Sequence, residues 1–577
     1  MSLTTKKTVG GGLHRLYTKH GKAVEDIPWN VYPRPKMKRN SFICLNGKWD
    51  FFVQDKKGNE QQFEITVPFC PESILSGVEK VFSEEDCLIY RKAFSCPAFQ
   101  EGERILLHFG GVDQYARVVL NDELIGDHDE GGYFPFTMDV TEAVKEENVL
   151  EVYVADRLSK KELPYGKQRQ KRGGMWYTPV SGIWQTVWLE VVSKNYISNV
   201  NADMVGSFAH FSVEGVDCGT IKIQTPDGEI VLPFENGKGK VELKNPRLWS
   251  PEDPYLYHFT VETEADKVES YFAARTLEIK EVNGYQRLCL NGKPYFFHGL
   301  LDQGYFSDGI YTPAHPSIYT EEILKVKALG FNTLRKHIKI EPQIFYAECD
   351  RLGMIVWQDM VNNSDYKYIR DTVLPTIGLI WKWDKFIHLN KAHRRTFLNS
   401  MKRTVELLKC HPCICLWTIF NEGWGQFEST KAYRLLKELD DTRFIDSTSG
   451  WFQGGESDVD SRHIYFKPVK GKKGKRPLII SEFGGFTYSV KDHIFNTSQS
   501  YGYGACETRE AYVEKLRGVY KNEVIPAAKE GVCASIYTQV SDVEDEVNGL
   551  FTYDREVDKV LPDEFKDIGE KLQNALE

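Results

Sequence analysis

Nowhere does the 577-residue chain hold the run of roughly 18 apolar residues that a membrane-crossing helix needs. An excess of positive charge is missing too. Lys and Arg number 73 against 82 Asp and Glu, a formal net charge of −9, so no global basic field points to nucleic acid or an anionic lipid surface. Cysteine is sparse, with 12 in the whole chain, which excludes a disulfide scaffold. The opening Met1-Ser2-Leu3-Thr4-Thr5-Lys6-Lys7 lacks the apolar stretch of a secretory signal, and a cytoplasmic location is the expectation.

Other properties are ordinary or locally suggestive. Hydrophobic residues make up 41% and charged residues 27%, as in soluble globular proteins, and the length calls for several domains rather than one core. Aromatic content is high at 13%, but aromatic rings fill β-sandwich cores as readily as they stack on sugars. The cluster Cys410-His411-Pro412-Cys413-Ile414-Cys415 has no second knuckle to complete a zinc site, and it reads as buried free thiols at a strand's start. No metal constellation stands out, and no cofactor is expected.

The rhythm of the chain changes near residue 280. Before it, short alternating runs such as Arg104–Phe109, Ala116–Leu120 and Val149–Val154 are separated by turn signals such as Leu45-Asn46-Gly47-Lys48 and Thr225-Pro226-Asp227-Gly228. That spacing predicts β-sandwich, with a break near 195 dividing it in two. After 280, buried strands alternate with amphipathic helices, one capped by Thr320 and stopped at Gly330, the next opened by Pro342 and stopped at Gly353. Strands are expected at 295–301, 331–337, 354–360, 414–420, 443–448, 463–466, 477–481 and 532–538, the pattern of a (β/α)₈ barrel.

In such a barrel the chemistry sits at the C-terminal ends of the strands. The apolar fourth strand delivers Asn421-Glu422 to that face, and the apolar seventh delivers Glu482-Phe483-Gly484-Gly485. Two carboxylates facing one cavity suit glycosidic cleavage, one protonated to release the leaving oxygen and one ionised. Asn421 could donate to a sugar hydroxyl, Arg335 could hold Glu482 anionic, and the two glycines would let substrate approach the backbone. The alternative for each acid alone is an ordinary strand-end carboxylate capping a helix.

The residues also resemble a known family. Leu416-Trp417-Thr418-Ile419-Phe420-Asn421-Glu422 and Ile479-Ile480-Ser481-Glu482-Phe483-Gly484 are similar to the acid/base and nucleophile segments of glycoside hydrolase family 2. Gly132–Thr137 and Ser181–Gln185 look like its jelly roll, Leu248-Trp249-Ser250-Pro251 like its immunoglobulin-like domain, and Gly330–Arg335 like its second barrel strand. The resemblance covers nearly the whole chain in order. It implies a jelly-roll sugar-binding domain over 1–194, an immunoglobulin-like β-sandwich over 195–278 and a catalytic (β/α)₈ barrel over 279–577.

It further implies a retaining, exo-acting β-glycosidase in which Glu482 is the nucleophile, Glu422 the acid/base, and Tyr465 the tyrosine bonded to the nucleophile. Asp156 is similar to an acid that reaches from the jelly roll into the sugar site. Asp302, His337, Asp359, Gln539 and Asp542 are further candidates to line the pocket, with Trp424 and Tyr537 as stacking faces. The family's largest β-galactosidases use Mg²⁺ and Na⁺, and their ligand segments do not map here.

The expected partner is a small carbohydrate or glycoside. The family includes β-galactosidases, β-glucuronidases and β-mannosidases. Glucuronidases carry an Asn-x-Lys segment before a Gly-Ile/Leu-Phe-Thr stretch, whereas Asp545–Thr552 here has no Lys, which favours a neutral sugar, galactose above others. The basic run Lys467–Arg476 follows strand six and reads either as a recruiter of anionic sugars on the active-site side or as a solvated loop. A non-catalytic carbohydrate-binding protein and a transglycosylase are the competing readings. Oligomeric state is unreadable, though hydrolases of this kind are often dimers or tetramers, leaving a homo-oligomer open.

Overall fold

A computed structural model describes residues 12–374, 384–450 and 455–576. The first eleven residues, with the stretch read for a signal, lie outside it.

The N-terminal part is two antiparallel sheets packed face to face. One has four strands ordered Ile43–Cys44, Val187–Ser193, Glu103–Phe109, Phe136–Asp139; the other has six, with Glu147–Ala155 between Cys87–Ser95 and Tyr115–Leu120. Period-two patterning drives this packing. In Gly47–Gln54 the side chains of Trp49, Phe51 and Val53 are buried while Lys48, Asp50 and Gln54 face water. Next comes a seven-stranded antiparallel sheet from Asn199–Val205 to Lys267–Phe272. It curls until its ends share one core, Phe211 meeting Phe259 and Phe272 edge-on at 5.2 and 5.6 Å between ring centroids.

The C-terminal part is a parallel eight-stranded barrel, and all its strands but β6 are fully buried runs, as expected where helices cover the outside. They are β1 (Phe297–Asp302), β2 (Thr333–Lys336), β3 (Ile355–Asp359), β4 (Ile414–Asn421), β5 (Phe444–Ser449), β6 (Asp460–Ile464), β7 (Leu478–Gly484) and β8 (Val532–Thr538). Hydrogen-bonded neighbours run β5-β4-β3-β2-β1-β8-β7-β6. Between β5 and β6 the barrel is joined by hydrogen bonds from 457–458 instead of a ladder: Asp458 N donates to Ile445 O at 2.9 Å, and Ile445 N donates to Asp458 Oδ2 at 2.9 Å.

Two sequence expectations shift. The first barrel helix spans Ser317–Ala328, starting at the Pro316 turn, so Thr320 lies inside it and bonds Glu348 at 2.6 Å instead of capping. Strand β6 begins at Asp460 and ends at Ile464, earlier than the expected 463–466. The cause is local, since Asp460 N already pairs with Pro477 O at 2.8 Å. The second helix, Gln343–Leu352, does stop at a left-handed Gly353.

Asp350 fastens the middle domain to the barrel floor. Its carboxylate accepts from Tyr271 Oη at 2.8 Å and from Cys413 N at 2.8 Å, and pairs with His411 Nδ1 at 2.6 Å. Its carbonyl accepts from Trp249 Nε1 at 2.8 Å. The Cys410–Cys415 segment is therefore built around a buried ion pair, and its cysteines are free. Burial opposes charge on His411, but Cys410 and Asp350 outweigh it and raise its pKa to about 9. A raised histidine pKa stabilises fully below the unfolded value of about 6.5, and that stability is lost as pH rises through 9. Urea unfolding should therefore weaken by up to about 3 kcal/mol between pH 6.5 and 9. Cys410, its pKa lowered against burial by His411 in turn, gives back part of that loss by shedding its own proton, so about 3 kcal/mol is the upper limit. His411→Asn should remove the slope, and an unchanged slope in the variant contradicts the assignment.

Candidate active site

The strand ends of β2, β4, β6 and β7 converge on one buried guanidinium. Arg335, at the end of β2 and wholly buried, donates from Nε to Asp359 Oδ1 at 3.0 Å and from Nη2 to Asn421 Oδ1 at 2.9 Å. Its Nη1 reaches Ser481 O at 2.9 Å and Glu482 Oε1 at 3.0 Å. The planar fork suits this work because it offers five donors in fixed directions and stays charged when buried. Arg335 and Asn421 thus orient the site from beneath.

Glu482 lies in β7 with its side chain 6% exposed. Its second oxygen accepts from Tyr465 Oη at 2.6 Å, the contact that the family resemblance implies. Burial disfavours its charge, yet His463 and Arg335 beside it, with the Tyr465 hydrogen bond, hold its pKa below the usual carboxylate range. It is an ionised carboxylate at any physiological pH.

Glu422 follows β4 in a left-handed conformation, φ 51°, which lifts its side chain off the strand toward the cavity. Its side chain is 21% exposed, more open than that of Glu482. One carboxylate oxygen of each lies within 4.8 Å of the other, and His463 Nδ1 belongs to the same group. Among the described residues this trio alone has His, Cys, Asp or Glu atoms close enough to hold a metal ion. Its geometry fits a shared proton better. Nδ1 of His463 is 2.7 Å from Glu422 Oε1, whereas two ligands on one tetrahedral zinc stand about 3.3 Å apart.

The remaining candidates divide. His337 Nδ1 pairs with Asp359 Oδ2 at 2.7 Å, and both belong to the network below the carboxylates. Asp302 and Asp542 are consumed by buried lysines, Lys336 at 2.6 Å and Lys559 at 2.6 Å. Tyr537 offers no stacking face. It is completely buried, and Gly484 is glycine because a Cβ there would meet the Tyr537 ring at 2.2 Å. Gly485 likewise makes room for Tyr503, 2.8 Å from a notional Cβ, and not for substrate. Asp156 does not join the barrel site. It is buried inside the jelly roll, where desolvation and then Asp113, Glu72 and Glu84 raise its pKa. The basic run 467–476 leaves the mouth just after Tyr465 and descends the barrel's outer wall, Val469 N bonding Glu523 at 2.8 Å and Lys473 reaching Gly284 of the hairpin below.

Several residues at the mouth carry no sequence signal. The jelly-roll segment 163–180 crosses over the barrel: Tyr165 Oη donates to Ser364 O at 2.7 Å, and Tyr177 Oη to Glu546 Oε1 at 2.9 Å. Arg172 pairs with Glu544 at 2.5 Å and with Asp545. Trp176 stands edge-on to Trp424, centroids 5.1 Å apart, which places the latter in an aromatic wall with Tyr165 and Tyr366. Gln539 donates to Glu546 Oε2 at 2.8 Å and to Asn548 at 2.8 Å. The contacts of Tyr177 and Arg172 with 544–546 span more than 350 residues of sequence, which no local pattern encodes.

Comparison with known proteins agrees with this architecture. Residues 74–183 match the glycosyl hydrolase 2 galactose-binding domain-like model, 194–275 the glycosyl hydrolases family 2 model, and 281–562 the family's TIM barrel domain. A β-galactosidase of Thermoanaerobacter pseudethanolicus is 24% identical over 78% of this chain and 62% of its own length, so the chain spans about three-fifths of that relative. A β-glucuronidase of Bacteroides fragilis is 23% identical over 80% of this chain and 68% of its own. The solved β-D-glucuronidase of Dictyoglomus thermophilum has a TM-score of 0.71 at 18% identity, covering 93% of this chain and 98% of that one. No helix among the described residues is long and apolar enough to cross a membrane. With all three domain models matched in order around this carboxylate pair, the chain belongs to glycosyl hydrolase family 2.

Proposed function

We propose that the chain is a retaining, exo-acting β-glycosidase that removes a terminal neutral sugar, galactose, by double displacement. The observation that carries this reading is the approach of the two carboxylates to within 4.8 Å, which suits the short spacing of retaining enzymes, about 5–5.5 Å. An inverting enzyme needs room for water between them. Their environments also differ in the required sense, Glu482 being locked as an anion and Glu422 standing closer to solvent.

In the first step a Glu482 oxygen bonds the anomeric carbon while Glu422 gives its proton to the departing glycosidic oxygen, whose bond to that carbon breaks. In the second, Glu422 takes a proton from water, the water oxygen bonds the anomeric carbon, and Glu482 leaves as a carboxylate. The wall of Tyr165, Trp176 and Trp424 across the mouth supports exo action, because it limits the cavity to a chain end.

Glu546 supports a neutral sugar. Burial and Glu482 raise its pKa to about 6, against the pull of Lys167, Tyr177 and Asn548, so near pH 7 it is largely anionic. A carboxylate there accepts from sugar hydroxyls and repels a C6 carboxylate. The second reading is a uronide, and it is favoured by Lys167, whose charge acts on both Glu546 and His337 and which makes no ion pair among the described residues.

On a panel of p-nitrophenyl β-glycosides the galactoside should turn over with the β-anomer as first product by proton NMR, and Glu482→Gln and Glu422→Gln should each lose most of the rate. Turnover of the glucuronide that Lys167→Ala abolishes replaces galactose with a uronic acid; an α-anomer product rejects retention. In Tyr465→Phe the nucleophile loses a donor to its charged form, so the acidic limb of kcat/KM should move to higher pH, by about one unit for a charge-assisted hydrogen bond. An unmoved limb removes Tyr465 from the mechanism.

A further inference from the structure

His463 is the group that sequence reasoning overlooked at the centre of the site. It is the fourth residue of β6, and a register shift between Arg462 and His463 brings it level with Glu482 of β7. Its Nδ1 lies 2.7 Å from Glu422 Oε1 and 3.5 Å from Glu482 Oε2. Its Nε2 lies 2.7 Å from Ser449 Oγ and 3.4 Å from Arg335 Nη1. Gly450 closes over the pair and must be glycine, since a Cβ would stand 2.9 Å from Nδ1 and 3.2 Å from Glu422 Cγ.

The tautomer follows from the partners. An ionised carboxylate can only accept, and Nδ1 is the ring nitrogen that faces the carboxylates, so Nδ1 is the donor and Nε2 is left to accept from Ser449 Oγ. Nδ1 therefore carries the proton and points it into the gap between the two carboxylates. Among the described residues, the charged and titratable groups facing the ring include Arg335 from β2, Glu422 beyond β4, Asp446 from β5 and Glu482 from β7, with Tyr465 next along β6.

We propose that His463 is a positioning residue whose single Nδ1–H serves whichever carboxylate is charged as the reaction moves charge between them. The proposal rests on the double-displacement reading above. When Glu482 bonds the anomeric carbon it loses its charge, and Glu422 gains one as its proton leaves with the aglycone. The Nδ1–H, 2.7 Å from Glu422 and 3.5 Å from Glu482, follows that exchange without moving and stabilises the new carboxylate. On hydrolysis of the intermediate the charge returns to Glu482. No proton is transferred to or from the ring in either step.

The test compares His463→Leu, which removes the donor, with His463→Asn, whose amide Nδ2 places an N–H near the position of Nδ1. Glu482→Gln and Glu422→Gln are measured alongside on the glycoside that turns over. The Nδ1–H faces the two carboxylates, so its loss should act on the chemical steps and not on the binding of a neutral sugar. In the Leu variant kcat should fall roughly tenfold or more while KM stays within about twofold. The Asn variant should recover kcat to near the parent. If kcat is unchanged in the Leu variant, or Asn fails to recover it, His463 is only structural and the proposal is overturned. If instead the Glu→Gln variants retain the rate, the double-displacement reading itself fails.

Discussion

A buried positive charge needs partners in every direction it points, and Arg335 is the constraint on which the rest of the site depends. Its guanidinium is wholly buried, and its three nitrogens are satisfied by Asp359, Asn421, Ser481 and Glu482. Removing water from such a group costs several kcal/mol, which only well-aligned partners offset. The end of β2 thereby fixes where β3, β4 and β7 must finish relative to one another. The position of Glu482 is a consequence of that arrangement. So is the asymmetry between the carboxylates, because Glu482 shares the guanidinium and Glu422 does not.

The domains outside the barrel contribute in different ways. The middle sandwich holds the floor through Asp350, far from the chemistry. The jelly roll instead supplies the roof. Segment 163–180 meets Glu544, Asp545 and Glu546, and it sets an aromatic wall across the barrel mouth. At the seam between jelly roll and barrel the charge of Lys167 acts on the Glu546 carboxylate.

The barrel and both carboxylates were legible because they rest on local pattern. Apolar strands of β4 and β7 ending in Asn421-Glu422 and Glu482-Phe483 carry the strand and its delivered acid in consecutive residues. Tyr465 was found by resemblance. His463 was missed for a reason of register: with β6 set at 463–466 it stood at the strand's inner start, whereas the strand runs 460–464 and carries it to the mouth. Asp156 and Tyr537 failed differently, since polarity near a strand end says nothing about which cavity the side chain enters. Glu546 and Tyr177 meet across 369 residues, a pairing that no local periodicity encodes.

The central claim is that Glu482 forms a covalent bond to the sugar. The protein should be incubated with a 2-deoxy-2-fluoro-β-glycosyl fluoride of the sugar it cleaves, which forms the intermediate but slows its breakdown, then digested and examined by mass spectrometry. The account predicts time-dependent inactivation with one glycosyl unit attached within the peptide containing Ser481-Glu482-Phe483. Attachment at Glu422 or elsewhere, or full turnover of ordinary substrate with an inverted product and no adduct, would contradict it.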